Sequence, residues 1–158
     1  MMRRAVQSLL GGGLALLWAT ASSAGELAGP GRFCGYAPII DLLEGERIVT
    51  LEGGIHGGTF RWSGSFGSMH VWGVGWAGKP KGTLLDRPTR KGHAIFRQRK
   101  DRGKFVVAIW NRSHGAAYFT SDTRFTPAQL AAIDRVDLFD EAKPGPADCK
   151  LRTMFVWE

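Results

Sequence analysis

The chain has 158 residues, 44% of them hydrophobic, with a formal net charge of +7 and only two cysteines. That length and apolar share suit one domain with a single core, and two distant cysteines exclude Cys-x-x-Cys redox and structural zinc centres. The positive balance points to anionic partners.

The first 24 residues have the layout of a secretory signal peptide. Met1-Met2-Arg3-Arg4 is a positive start, Leu9 to Thr20 is apolar but broken by Gly11-Gly12-Gly13, and Ala21-Ser22-Ser23-Ala24 ends in small residues. Cleavage is expected before Gly25, leaving residues 25–158 as a single β-rich domain in the periplasm or the medium. The apolar run is too short and too glycine-broken to span a bilayer, and no later stretch reaches the required length, so the mature chain is expected to carry no integral membrane segment. No cysteine stands at the cleavage point to take a lipid anchor, and the residues around Arg3-Arg4 match the twin-arginine export route poorly.

Residues 25–33 are rich in glycine and proline and read as extended or loose up to Cys34. In an oxidising compartment Cys34 and Cys149 read as one intramolecular disulfide. Residues 39–46 read as a short helical turn. Strands follow at Arg47–Leu51, Thr59–Trp62 and Met69–Trp76. In the last of these His70, Trp72, Val74 and Trp76 point one way while Met69, Val71, Gly73 and Gly75 point the other. Glycines inside a strand suggest a bulge or the close approach of another backbone or a ligand.

Residues 79–104 hold ten basic and two acidic side chains, a segment of +8 against −3 for the rest of the mature chain. His93–Lys100 and Lys104–Trp110 are strand-like runs joined by an Asp101-Arg102-Gly103 turn, reading as a hairpin. Phe105, Val107 and Ile109 share one face of the second strand and Val106, Ala108 and Trp110 the other, as expected of a central strand. Gly115–Thr120 is another strand. Thr126-Pro127-Ala128-Gln129 is a capping box with Pro at the first helical position. Phe125 and Leu130 are spaced as a hydrophobic staple, and Leu130, Ile133 and Val136 are expected to pack on a sheet. Lys150–Trp157 reads as the last strand. Together these elements predict a mainly β fold, a small antiparallel barrel or sandwich with one late α-helix at about 126–136.

The chemistry-bearing residues are sparse. Glu52, His56, His70 and His114 are the available acid, base or ligand groups, but glycines on both sides of His56 exclude a helical pairing with Glu52, and no His-Glu-x-x-His motif is present. His56-Gly57-Gly58 has the form of an esterase oxyanion loop without the matching Gly-x-Ser-x-Gly elbow. Gly73-Val74-Gly75 lies inside a strand, and no phosphate-binding loop exists. No catalytic residue or metal ligand is assigned beyond these weak candidates; no cofactor is expected, and nucleic acid is not the expected partner. Asn111-Arg112-Ser113 is a glycosylation sequon, without meaning in a bacterial host.

Two sets of residues invite binding. Arg61, Trp62, His70, Trp72 and Trp76 offer stacking faces and hydrogen-bond donors for a sugar or flat ring, against the competing reading that the tryptophans fill the core. Arg90, Lys91, Arg97, Arg99, Lys100, Arg102 and Lys104 offer an anion-binding surface, against the competing reading of a solvated hairpin. The resulting expectation is an exported, non-enzymatic domain that binds an envelope glycan or anionic polymer. One alternative is a small secreted hydrolase using histidine with acid or metal, which requires its histidines in one concave pocket. Another is a protein-interaction module with a basic face, which requires an apolar patch beside that face. A lysozyme-inhibitor role is disfavoured, because a cationic protein would meet a cationic enzyme.

Overall fold

Alternation of apolar and polar side chains builds two facing β sheets over residues 25–153, the part of the chain that the computed structural model describes. The expected signal segment 1–24 and residues 154–157 of the final expected strand lie outside the described residues. In chain order the strands are β1 (Glu26–Ala28), β2 (Gly31–Cys34), β3 (Pro38–Leu42), β4 (Arg47–Gly53), β5 (Gly57–Gly64), β6 (Gly67–Val74), β7 (Thr83–Leu84), β8 (Ala94–Asp101), β9 (Lys104–Trp110) and β10 (Ala116–Ser121). Helix α1 (Pro127–Ile133) follows, then β11 (Asp137–Leu138) and β12 (Cys149–Arg152).

The larger sheet has eight antiparallel strands in the order β1-β4-β5-β6-β10-β9-β8-β7. Its edges, β1 and β7, are only three and two residues long, which limits edge-to-edge association. The smaller sheet has the order β11-β3-β2-β12, with β12 parallel to β2 and the other pairs antiparallel. The fold is a mainly β sandwich with one late helix.

The core lies between the sheets. Phe33, Ile40 and Leu42 from the small sheet and Ala132, Ile133 and Val136 from the helical region meet the inner face of the large one, where Ile48, Phe60, Trp62, Met69, Val71, Val107, Ile109 and Phe119 are buried. β9 is flanked by β10 and β8 and buries Val106 to Ile109, so apolar residues on both its faces did mark a central strand. Gly58 and Gly73 pair across β5 and β6 and leave a hollow in the inner face. A Cβ on Gly73 would lie 2.5 Å from Pro38 Cδ, and one on Gly58 2.4 Å from Tyr36 Cε2. The close approach suggested by the strand glycines is thus made at Gly73 by the protein's own small sheet. Gly75 lies beyond the end of β6, 3.5 Å from the Tyr36 carbonyl by the same measure.

The disulfide joins Cys34 to Cys149 and fastens β12 to β2. The capping box is complete: Gln129 N donates to Thr126 Oγ1 at 3.2 Å, and Thr126 N donates to Gln129 Oε1 at 2.9 Å.

The local structure differs from the sequence expectation at residues 39–46 and at the end of the helix. Residues 39–46 do not form a helical turn: Pro38–Leu42 is strand β3, because Ile40 and Leu42 alternate with exposed Asp41 to reach the core. A turn follows at Gly45, whose φ is +77°. Of the two readings of residues 25–33, extended rather than loose is the one found, since β1 and β2 pair with β4 and β3. The helix ends at Ile133, and Val136 reaches the core from the turn beyond it.

Candidate functional site

Pairing register assigns each candidate residue to a face. On the outer face of the large sheet Thr59, Trp72, Tyr118, Ala108, Phe96 and Leu84 stand side by side across six strands. Trp72 is 49% exposed, its ring centroid 5.1 Å from that of Tyr118. Burial pushes the Tyr118 phenol above its ordinary value. Phe96 and Ala108 are buried on this same face with Ala94, with Trp110 and Tyr118 packed against them. The segment after β6 returns across it, and Gln98 Nε2 donates to the Lys81 carbonyl at 3.0 Å. Arg61 and His70 occupy the neighbouring row and are exposed.

The predicted stacking set is divided by the fold. Trp72 and its neighbours Arg61 and His70 share the outer face. Trp76 lies beyond β6, 61% exposed, its ring centroid 4.7 Å from that of His114. Trp62 is fully buried on the opposite face, with the Arg135 guanidinium 5.5 Å from its ring centroid. It is a core residue and offers no surface to a ligand.

The weak catalytic candidates come from different elements, although the His56 and His114 carbonyls accept from Gly75 N and Ala77 N of one segment, at 3.1 and 2.6 Å. Glu52 is on β4, His56 in the β4–β5 connection, His70 on β6 and His114 in the β9–β10 turn, all exposed. The His114 ring is 3.4 Å from Ser113 Oγ and stacks on Trp76. Among the described residues no three His, Cys, Asp or Glu side chains come together as a metal site would require. The fourth histidine, His93, is buried and pairs with Asp137 at 2.8 Å, tying the segment before β8 to β11. In the sequon Asn111 is structural: it donates to the Phe139 carbonyl and accepts from Ser113 and Gly115.

The basic residues give the most concentrated feature. A groove of about 900 Å³ opens between the β8–β9 hairpin and the segment leading into α1. Its size falls within the range of about 300–1,000 Å³ usual for small-ligand clefts. The floor is apolar, formed by Leu85, Phe105, Phe125 and Leu130. Arg97, Arg99, Lys100 and Arg124 carry the charge, and among the described residues no carboxylate lines it. Lys100 lies over the Phe105 ring, 5.6 Å from its centroid. Among the described residues Arg97, Arg99 and Arg124 make no ion pair.

The predicted anion-binding set is therefore only partly assembled. Arg97, Arg99 and Lys100 line the groove. Arg102 is in the hairpin turn, and Lys104 pairs with Asp122 at 3.4 Å. Arg90 and Lys91 precede β8 and so lie at the other end of that eight-residue strand, roughly 20 Å or more from its turn. Arg124 and the apolar floor were missed by sequence reading. The available signal was Arg124 directly preceding the Phe125 of the hydrophobic staple.

A smaller cleft of about 190 Å³ lies beside Arg32, Asp41, Asp137 and Asp140. Its charges are largely matched internally: Arg32 grips Asp41 with Nε and Nη2 at 2.6 and 3.0 Å, and Lys143 pairs with Asp140. No helix among the described residues is long and apolar enough to cross a membrane. Comparison with protein-family models, curated proteins and solved structures gave no match.

Proposed function

We propose that the protein is an exported, non-enzymatic domain that binds an anionic component of the cell envelope in the Arg97–Arg124 groove. The observation that carries this reading is the convergence of four cations on one concave surface, with no carboxylate in its lining among the described residues. Clustered like charges on low-dielectric walls focus a positive field and attract a complementary anion. Export rests on the leader-like composition of residues 1–24.

Calorimetric titration with lipopolysaccharide and with a neutral peptidoglycan-type glycan, at low and high salt, tests the proposal. Lipopolysaccharide binding should weaken with salt. It should fall at least about tenfold in Arg97→Glu/Arg124→Glu, the loss of roughly 1.4 kcal/mol expected from reversing two contacting charges. Binding indifferent to both changes would overturn the assignment. The exposed Trp72–Tyr118 pair favours a second reading, a glycan stacked on the outer face. That reading requires glycan affinity that survives salt and is lost in Trp72→Ala.

A further inference from the structure

Resting on the anion-binding reading above, we infer that the groove takes a single anionic amphiphile, a phosphate-headed molecule with an acyl chain. A polyanion needs only the cations. The groove adds an apolar floor of Leu85, Phe105, Phe125 and Leu130. Phe105, Phe125, Leu130 and Leu85 are only partly buried, so this floor retains surface that an alkyl chain can cover.

The arrangement is amphipathic: Arg97, Arg99, Lys100 and Arg124 are exposed, whereas the four apolar residues are partly buried. Phe105 shares a face with the core residues Val107 and Ile109, making the floor an outward continuation of the core face. The guanidinium groups of Arg97, Arg99 and Arg124 have no carboxylate partners among the described residues and can donate paired hydrogen bonds to a phosphate. Lys100 over Phe105 joins the two regions. The concavity selects a lipid monomer over a bilayer surface, because a flat membrane would meet the cationic rim without its chains reaching the floor.

The test is a calorimetric series on the intact protein with butyl, octyl and dodecyl phosphate, each below its micellar concentration. Dodecyl maltoside is the uncharged control and lipopolysaccharide-derived, deacylated polyanion the tail-less one. Full burial of a methylene corresponds to a gain of about threefold to fourfold in affinity. Even partial burial should make dodecyl phosphate bind at least about a hundredfold more tightly than butyl phosphate. Leu85→Ser should flatten the series and Arg97→Glu should lower all its members together. A flat series with the native protein, while the polyanion still binds, overturns the amphiphile and leaves the anion reading standing. Dodecyl maltoside binding as tightly as dodecyl phosphate also overturns it. Binding of neither alkyl phosphates nor polyanion overturns both readings.

Discussion

Trp62 and Trp72 show how much a single side chain's position depends on strand parity. Thr59, Arg61 and Ser63 alternate with Phe60 and Trp62, and that alternation sends the two aromatics inward together. The information was in the sequence, but grouping Trp62 with adjacent Arg61 ignored the two-residue period. Trp72 shares its face with polar His70, and its exposure follows from the same rule. Trp62→Ala should cost about 3–5 kcal/mol in chemical denaturation, as other large buried truncations do. Trp62→Phe should cost far less, about 1 kcal/mol, since among the described residues the buried indole Nε1 has no hydrogen-bond partner to lose. Equal losses from the two variants would contradict this account. Asp41 makes a pH-dependent counterpart. The Arg32 hydrogen bond and charge hold its carboxyl below the usual range, against a smaller opposing effect of burial. A depressed folded value means that the pair's contribution is present above the unfolded carboxylate value and fades as pH falls through the lower folded one. Both side chains are more than a third exposed, so the contribution is screened and small. The melting temperature should therefore exceed that of Asp41→Asn slightly at neutral pH, and the gap should close below about pH 4. A gap independent of pH would assign the effect to packing.

Among the elements, those with local signatures were the legible ones. The capping box marked α1, and the two-residue period with a glycine turn marked the β8–β9 hairpin. The turn residues Arg102 and Gly103 have φ of +48° and +83°, the signs a type I′ turn demands. Arginine is strained there where asparagine is at ease. Arg102→Asn should raise stability by about 0.5–1 kcal/mol, read as a higher denaturation midpoint. No gain would mean that the turn already relaxes the strain. Segment 39–46 was misread because Ile-Ile-Asp-Leu-Leu fits a helical face as well as a short strand, and only pairing with β2 decides between them. The groove was half legible for a related reason. Its hairpin cations are neighbours in sequence, whereas Arg124 joins them only because the large sheet sets β9 beside β10.

At the scale of the whole molecule, the two cysteines and the charge imbalance were readable directly, but their geometry was not. The Cys34–Cys149 bond spans 115 residues, and in the chain-entropy model a loop of that size stabilises the fold by up to about 4–5 kcal/mol. Reduction, or paired replacement by serine, should lower unfolding free energy toward that limit. An unchanged midpoint would show that the β2–β12 pairing suffices alone. The charge imbalance is less unified than its sequence position implies. The length of β8 separates Arg90 and Lys91 from the groove, so their replacement by glutamine should leave anion affinity within about twofold, a difference under roughly 0.5 kcal/mol.

The parallel pairing of β12 with β2 also sets an order of events as the polypeptide is made. β2 is among the earliest strands synthesised, yet its outer neighbour is the latest of those described. Until residues 149–152 emerge, β2 is an open edge and Cys34 a free thiol. The availability of that thiol to an alkylating reagent therefore reports, on a nascent or truncated chain, whether β12 has arrived.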